Sequence, residues 1–591
     1  MASRHAPSRR ALLAALAGST AAASGCVGEA RNLVGRDRTE QLSLRIVTLP
    51  ASEDPYAVRI ATHLADNLER SGIATLVDPI RPDVLFRETL INHDFDLYVS
   101  RYPSRGDPDE LRSMLYSAYA EEAGLQNPFG FSDLALDDLL DDQRTLKGTE
   151  RIDRIHEIQR HVLRAQPFTV VCFPDRIGAT RTDRFGGWPA GGLDQPMDYA
   201  KLDRTGSRST LELVLRNERV TMNRNPIAAE HRNRGSIVGL MYDPLVRPLR
   251  GSPEPIDWLA ESITWGRTDG GEALSASVRV RETPWHDGTP LTAHDVAFSY
   301  EFLRDTSLGG FETPVPTPWR RGRISLVDAV RVHNDRLLEF DFATGVRSVA
   351  QRALSVPILP EHVWRERADP AEIAGIDVVG QTTEALVDAN EAAIGSGPFR
   401  LADAVADESI TLETFPDHFL YEEQTDGIPD RFSGDPPFDA VRFTVAPSDD
   451  TAVEVLLNDN ADASADGLQA RVVSRIVRSD DVSLTVRRSD RFYHVGYNCR
   501  RAPTTDPNFR RAVAGHIDRR TIVAESLGGY GTPAQAPLRG KWVPDGLQFN
   551  GAATIPFLGT DGALDADAAR ETFREAGYRY EGEELVTRAA P

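Results

Sequence analysis

The most constraining stretch of this sequence lies between residues 42 and 99, where strand-like and helix-like segments alternate. The strand-like segments are the apolar runs 42–49, 73–77 and 95–99. Between them, residues 56–70 carry apolar side chains at helical spacing, and residues 82–92 predict a second helix. This alternation predicts an α/β protein with a parallel sheet. Ligands bind such sheets at the carboxyl ends of the strands, so residues 101–110, after the third strand, are a predicted pocket loop.

Length and charge narrow the class of protein further. A chain of 591 residues exceeds what one hydrophobic core usually supports, so at least two folded units are expected. Acidic residues number 89 against 67 basic ones, giving a net charge of -22. The only lysines are Lys147, Lys201 and Lys541. This acidic, arginine-for-lysine balance resembles that of proteins from salt-adapted archaea, where charge keeps a protein soluble. It argues against a nucleic-acid partner, which would need a basic surface.

The amino-terminal residues have the pattern of an export signal. Arg9 and Arg10 precede a small-residue apolar run, 11–23, that is too short to be a permanent membrane helix. The paired arginines resemble a twin-arginine signal. The run ends in ASGC, which resembles a lipoprotein cleavage box and makes Cys26 the predicted lipid-bearing residue. Residues 27–41 are polar and predict a tether, so we expect a body held by a lipid at the extracellular face of the cell membrane.

The two remaining cysteines, Cys172 and Cys499, each lie in an apolar, strand-like run. They could form one disulfide, but buried free thiols fit the apolar surroundings better. No run after the signal reaches the about 18 apolar residues that a membrane helix needs.

A set of motifs begins at residue 240. LMYD (240–243) is followed by WHDGTPLTAHDV (285–296), in which Thr292 is a predicted helix cap. LPEHVW (359–364), GSGPF (395–399) and RRAV (510–513) come next. In this order the motifs resemble the solute-binding proteins of peptide-type ABC importers, family 5. The resemblance implies an α/β, periplasmic-binding-protein-like fold of two lobes (type II, peptide-binding class) with an extra inserted domain.

The order of segments departs from this family in one respect. Segments that relatives carry late, such as FDLYVSRY and RIDRIHEIQRHVLRAQPF, lie here within residues 42–174, and the AGY region that precedes them in relatives is 576–578. The resemblance therefore implies a circular permutation, which is tolerated where the original ends lie close together. The expected domains are an export signal (1–26), a tether (27–41), a second lobe (42–170 plus 490–591), a first lobe (171–257 plus 376–489) and an inserted domain (258–375).

Catalytic motifs are weak or absent. His156 and His161 come close to a zinc-protease pair, but they are five residues apart, whereas one helical face needs four. His286 and Asp287 precede Gly288, and in relatives this HDG step is a turn of the inserted domain. No G-x-S-x-G elbow and no phosphate-binding loop occurs in the sequence. We expect no enzyme, no cofactor and no metal, with the ATPase as a separate subunit.

The binding residues are predicted from the resemblance. Peptide-binding relatives place a Trp and, three residues later, an acidic residue ahead of a Pro; that carboxylate pairs with the peptide ammonium group. With Pro108 aligned, Arg101 takes the Trp position and Ser104 the acidic one, so a cation at Arg101 or Arg105 would suit an anion instead. Alternatively, Asp107 or a shifted loop supplies the carboxylate. The expected ligand-binding residues are Arg101, Tyr102, Ser104, Asp107, Ser236, Ser396 and Gly397.

The resemblance implies a receptor that closes two lobes around a peptide or other small polar solute and delivers it to an ABC permease and its ATPase. We expect a monomer. The alternative is a secreted sensor or enzyme that reuses the scaffold without a transporter.

Overall fold

The computed structural model describes residues 39–588. Within that range it leaves out residues 105, 123, 229–234, 250–251, 253, 269–270, 272, 372–381, 423–424, 430–431, 433, 435 and 552. Arg9, Arg10, Cys26 and most of the predicted tether lie outside the described residues, as does Arg105. Within the described part, no helix combines the length and the apolar character that crossing a bilayer requires.

The strands in chain order are β1 (Thr39–Gln41), β2 (Ser43–Thr48), β3 (Ala74–Pro79), β4 (Leu97–Tyr102), β5 (Phe168–Arg181), β6 (Phe185–Gly186), β7 (Asp203–Arg204), β8 (Thr210–Leu215), β9 (Val246–Arg247), β10 (Ile256–Asp257), β11 (Ala260–Arg267), β12 (Leu274–Val280) and β13 (Val327–Asn334). They continue with β14 (Leu337–Phe342), β15 (Phe399–Val405), β16 (Ser409–Thr414), β17 (Ala440–Val445), β18 (Ala463–Ser464), β19 (Val482–Arg488), β20 (Phe492–Tyr497), β21 (Gly531–Pro533), β22 (Gly559–Thr560), β23 (Ala563–Leu564), β24 (Arg579–Glu581) and β25 (Glu584–Arg588).

The longer α-helices are Pro55–Arg70, Glu110–Leu115, Leu134–Asp142, Gly148–Ala165, Gly235–Met241, Ala293–Arg304, Arg347–Ala353, Asp449–Leu457, Pro507–Ala514 and Ala566–Glu575. The short ones are Pro82–Phe86, Pro196–Tyr199, Arg219–Met222, Arg321–Ile324, Glu361–Trp364, Glu384–Val387, Val473–Ile476 and Arg519–Thr521. π-Helical turns follow two of these, at Arg87–Ile91 and Ile522–Ser526.

The predicted parallel sheet is confirmed. β2 pairs in parallel with β3 on one side and with β4 on the other. The helix Pro55–Arg70 connects β2 to β3 and begins where the Asp54 carboxylate accepts a hydrogen bond from the Ala57 amide. Its apolar face, including Ile60, Leu64 and Leu68, is fully buried against the sheet. Residues 101–104, at the end of β4 and just after it, therefore lie at the carboxyl edge of the sheet, as the alternation predicts.

The buried side chains divide the described residues into two lobes. Lobe A contains residues 39–174 and 492–588, whose apolar side chains form two adjoining cores. Lobe B contains the intervening residues, and its cores draw on residues from 177 to 484. The chain is mixed α/β and has the two-lobe fold of periplasmic binding proteins. The exact domain boundaries given above remain a prediction.

One long strand and one strand junction cross between the lobes. The first half of β5 pairs with β20 in lobe A, and its second half pairs with β19 in lobe B. β19 leads directly into β20 through residues 489–491. One continuous sheet therefore runs through both lobes, ordered β15-β16-β17-β8-β18-β5-β20-β4-β2-β3, with β19 and β21 also paired to β5. We call these two neighbouring crossings the hinge.

Within lobe B, a four-stranded sheet ordered β11-β12-β14-β13 corresponds to the region expected as the inserted domain. The helix Ala293–Arg304 packs on it, and the predicted cap is confirmed. Thr292 and Asp295 form a capping box. The Thr292 side chain accepts from the Asp295 backbone amide, and the Asp295 carboxylate accepts from the Thr292 backbone amide. The HDG step is a turn, with Gly288 at φ 86°, a conformation that side chains disfavour.

The two ends of the described chain meet in lobe A. β25 pairs antiparallel with β1, placing Thr39 opposite Arg588. The Leu42 amide donates to the Leu585 carbonyl at 2.8 Å, and the Leu585 amide donates to the Gly72 carbonyl at 2.9 Å. Cys172 and Cys499 are both free thiols in this structure, the first of them fully buried.

Candidate ligand-binding site

A cleft of about 690 Å³ lies between the two lobes, beside the hinge. Lobe A contributes the loop after β2 and the end of β4, including Arg101, Tyr102 and Ser104. Lobe B contributes residues near 238–248, 318–323 and 465–469. Its volume falls within the range of small-molecule binding sites. The predicted pocket loop therefore does line a cavity.

Arg101 lies near the end of β4, opposite Tyr493 of β20. Its guanidinium lines the cleft and makes no hydrogen bond or ion pair with any described residue. Several other cleft arginines are paired: Arg176 with Asp194 at 2.8 Å and Arg321 with Glu122 at 3.0 Å are examples. Arg101 thus offers a positive charge and hydrogen-bond donors to the cleft.

Tyr102 and Ser104 line the cleft beside Arg101. The Tyr102 ring stacks on Phe492, with 5.4 Å between centroids, and burial raises the pKa of its hydroxyl above the usual range. The Ser104 hydroxyl donates to the Glu110 carboxylate at 2.7 Å and accepts from the Gly106 amide at 3.0 Å. Glu110 itself lines the cleft, so a carboxylate lies next to Ser104, the residue predicted to take the acidic position of peptide-binding relatives. Glu110 ends the predicted pocket loop 101–110 but is not among the expected ligand-binding residues.

Asp107 does not line the cleft in the described structure but bridges the lobes. Its carboxylate pairs with the Arg352 guanidinium of lobe B at 2.6 Å. Arg352 also bonds Asp109 at 2.6 Å, and Asp109 accepts two further bonds from Arg144 at 2.7 and 2.8 Å. We call Asp107, Asp109, Arg144 and Arg352 the latch. The latch therefore joins lobe A to lobe B beside the cleft, which Arg352 lines.

The electrostatics of the latch keep the Asp109 carboxylate and the Arg352 guanidinium charged. Asp109 is 1% exposed, and burial by itself would raise its pKa. Arg144 and Arg352 outweigh burial and hold the pKa of this carboxyl well below its usual range. Burial likewise opposes the charge of Arg352, but Asp107 and Asp109 raise its pKa above the ordinary value. A pair of arginines on a carboxylate with these bonds is a strong, geometrically specific contact.

Ser396 and Gly397 belong to a buried cluster behind the wall of the cleft, and neither is among the described residues that line it. Ser396 is fully buried, and its hydroxyl donates to Asp243 at 3.4 Å. Asp243 also accepts from Arg247, Trp258 and His418. A Cβ at Gly397 would lie 2.2 Å from the Leu240 carbonyl oxygen, so glycine allows the close approach. These two predicted site residues join LMYD to GSGPF instead of facing a ligand.

The position of the remaining predicted site residue is described only in part. Ser236 lies in the helix Gly235–Met241, but its side chain lies outside the described residues. Two later residues of that helix, Val238 and Gly239, line the cleft. Arg247 of the buried cluster lines it as well, and its guanidinium stacks over Trp258 at 4.8 Å.

A smaller pocket of about 50 Å³ opens beside the cleft and shares Arg101, Tyr102 and Trp319 with it. Its other walls include Leu85, Phe86 and Leu90 of lobe A. Trp319 comes from lobe B and meets the Phe86 ring edge-on, with 6.5 Å between centroids. The pocket is therefore built from both lobes. The run Arg320-Arg321-Gly322-Arg323 after Trp319 is a sequence signal that could have marked this wall.

The histidines of the near-miss zinc motif have structural partners. His156 bonds the Lys541 carbonyl at 3.0 Å, and His161 bonds Asp133 at 2.7 Å. Over the described residues, no three His, Cys, Asp or Glu side chains come together as a metal site.

Comparison with known proteins identifies the family. The model of bacterial extracellular solute-binding proteins, family 5 (middle), matches residues 254–590. The chain belongs to this family. A putative ABC transporter peptide-binding protein of Brucella ovis is 23% identical over 314 residues, covering 52% of this chain and 50% of the relative. The oligopeptide-binding protein AppA of Bacillus subtilis is 25% identical over 284 residues, covering 47% of this chain and 45% of AppA.

Two solved structures are similar to parts of this chain. AppA of Bacillus subtilis in complex with a nonapeptide has a TM-score of 0.44 at 19% identity, covering 64% of this chain and 66% of AppA. NikZ of Campylobacter jejuni in complex with Ni(L-His) has a TM-score of 0.43 at 16% identity, covering 65% of this chain and 66% of NikZ. The chain spans about half the length of the curated relatives it matches.

Proposed function

We propose that this family member is the solute receptor of an ABC importer, which captures a small polar solute between its lobes and presents the closed form to a membrane permease. The observation that carries the proposal is the cleft of about 690 Å³ between two lobes, which the two-crossing hinge and the latch connect. A ligand that touches both lobes stabilises the closed state, because it gains contacts only there.

The test is to purify the protein under native high salt and to identify the molecule retained in the cleft by mass spectrometry. We expect one solute, released on mild denaturation, whose rebinding lowers the radius of gyration in small-angle scattering. The matched control is a variant of the exposed Arg279, on the outer sheet of lobe B, which should retain the same solute. A protein that retains nothing and does not close with any offered solute contradicts the proposal and favours the sensor alternative.

We further propose that the chain is exported by the twin-arginine route and anchored through Cys26 as a monomer. Arg9 and Arg10 ahead of the apolar run support the route, and the ASGC sequence supports the anchor. Replacing both arginines by lysine should leave precursor in the cytoplasm, because the pair is recognised by a receptor and charge alone does not suffice. Cys26→Ser should release the protein from the membrane fraction, and unchanged retention of this variant would refute the anchor.

We also propose that the chain is a circular permutation of the family's usual order. Two observations support it: Thr39 pairs with Arg588, and strands β2, β4 and β20 from the two ends of the sequence share one sheet. Joining residue 588 to residue 39 by a short glycine-rich linker, with new ends opened within 187–195, restores the order of relatives. We expect this re-permuted chain to fold with an unfolding midpoint close to that of the parent, because adjacent ends cost little to join. Failure to fold, while a linker insertion at residue 192 alone is tolerated, would contradict the proposal.

A further inference from the structure

We propose that the solute recognised by this receptor is an anion whose acidic group pairs with Arg101 and whose short apolar group enters the pocket beneath Trp319. This inference rests on the proposed function and specifies the chemical class of its ligand. It differs from the ammonium-first recognition of a peptide, which the acidic residue of peptide-binding relatives implies.

The first observation is the state of Arg101. Burial opposes the charge of Arg101, but Tyr493, Asp54 and Asp466 outweigh burial and raise its pKa without bonding the guanidinium. Asp54 accepts instead from Ala57 and Tyr493, and Asp466 accepts from the Arg216 and Asn217 amides. The Arg101 guanidinium itself bonds no described residue. A guanidinium presents a planar fork of donors that matches carboxylate and phosphate oxygens. An acidic group of the solute is the partner that this geometry calls for.

The second observation is the charge of the cleft as a whole. The chain has a net charge of -22, and over the described residues the lining of the cleft holds ten arginines and eight Asp or Glu. Four of these arginines, Arg216, Arg247, Arg321 and Arg352, are paired with carboxylates outside the lining. The lining is nevertheless richer in arginine than the chain as a whole, and a local excess of guanidinium groups attracts anions.

The third observation is the pocket next to Arg101. Leu85, Phe86 and Leu90 form its apolar walls, Trp319 closes it from the other lobe, and Arg101 lies at its edge. One water molecule needs roughly 10–15 Å³ of such a cavity, so a cavity of about 50 Å³ holds a group of about three to five heavy atoms. Because the pocket needs both lobes, filling it stabilises closure. The acidic group and the apolar group are thus adjacent in the ligand.

Two blocked dipeptides of opposite charge test the class. N-acetyl-alanyl-leucine carries a carboxylate and no ammonium, whereas alanyl-leucinamide carries an ammonium and no carboxylate. By calorimetry in high salt, we expect the acetylated peptide to bind at least about tenfold more tightly, the effect of one charge-assisted bond. Arg101→Gln should remove this preference, and Arg279→Gln, on an exposed strand, should keep it. N-acetyl-alanyl-glycine should bind more weakly than N-acetyl-alanyl-leucine, because it lacks the apolar side chain that enters the pocket. Trp319→Ala should abolish this difference in affinity between the two acetylated peptides.

The outcomes separate this inference from the receptor proposal. Equal or tighter binding of alanyl-leucinamide, or an unchanged preference in Arg101→Gln, overturns the anion inference while the receptor stands. If neither peptide binds, the solute retained by the purified protein decides: an acidic group in it supports the inference, and its absence overturns it. A protein that binds neither peptide and retains no solute overturns both proposals together.

Discussion

Asp243 and Asp109 are two buried aspartates in similar arginine-rich settings, yet they hold together different parts of the molecule. Asp243 is fully buried and bonds Arg247, Trp258 and His418, all within lobe B. Asp109 is buried nearly as deeply but bonds Arg144 of its own lobe and Arg352 of the other. The first network fixes one lobe internally, and the second depends on how the lobes meet. The same chemistry therefore contributes to stability in one place and to closure in the other.

The largest effect is expected at Asp243. Asp243→Asn leaves the Arg247 guanidinium, 5% exposed as a residue, without its carboxylate, and breaking a buried pair in this way costs about 3–5 kcal/mol. We expect unfolding in guanidinium chloride to reach its midpoint at a much lower denaturant concentration, with lobe B losing structure first. The control is Asp417→Asn, an exposed position next to His418, which should leave the midpoint unchanged. An unfolding midpoint of Asp243→Asn within error of the parent's would contradict the role of this network in stabilising lobe B.

The second effect separates closure from stability. Arg352→Gln removes the bonds from Arg352 to Asp107 and Asp109 but leaves Asp109 bonded to Arg144, which keeps its own contacts with Gly322 and Thr344 of lobe B. Loss of charge-assisted bonds worth about 1.5–3 kcal/mol should weaken solute binding by roughly one to two orders of magnitude. The scattering curve of the ligand-free variant should indicate a more open molecule, while its unfolding midpoint changes little. Arg347→Gln, an exposed position on the same helix, is the matched control. Unchanged affinity and compactness in Arg352→Gln would make the latch a passive contact.

The third prediction concerns acid. Burial would raise the pKa of both carboxyls, but His418 and Arg247 lower that of Asp243, and Arg144 and Arg352 lower that of Asp109. An unfolded Asp has a pKa of about 3.9, so below that pH the unfolded chain binds protons that the folded one does not. Both contributions are therefore complete above about pH 5 and are lost as the pH falls further. Unfolding free energies measured from pH 7 to pH 3 should fall less steeply in Asp243→Asn and in Asp109→Asn than in the parent. Parallel curves would show that neither group titrates abnormally.

The smallest effect is expected at Ser104. Ser104→Ala removes one hydrogen bond to the Glu110 carboxylate, and we expect a contribution of about 1.5 kcal/mol, at the low end for a bond to a charged group, because Glu110 keeps another interaction. We expect a solute affinity that changes by less than about tenfold and an unfolding midpoint within a few degrees of the parent. Ser104→Asp should cost more than the alanine variant, because two carboxylates would then lie side by side. If Ser104→Asp binds the solute more tightly, Glu110 is not the resident carboxylate of this loop.

The alternation between residues 42 and 99 predicted the parallel strands β2, β3 and β4 and the helix after Asp54, because the period of apolar residues is set by local geometry. The same argument placed Arg101, Tyr102 and Ser104 at the cleft, since a strand's carboxyl end is fixed once the strand is known. Thr292 as a helix cap and Gly288 as a turn residue also follow from short-range chemistry. Boundaries shifted by one to three residues, as at β4 and at the π-helical turn Arg87–Ile91.

What the sequence by itself determined is the family, the α/β class, the direction of the first sheet and the loop that lines the cleft, because each depends on residues that are close together in the chain. Only the tertiary structure decided the partners of the charges. Asp107 meets Arg352 245 residues away, Ser396 turns inward to Asp243, and Glu110 lies at Ser104, whereas Arg101 bonds none of the residues that the structure describes. Charge pairing over such separations depends on how two lobes dock, and no local pattern records that arrangement.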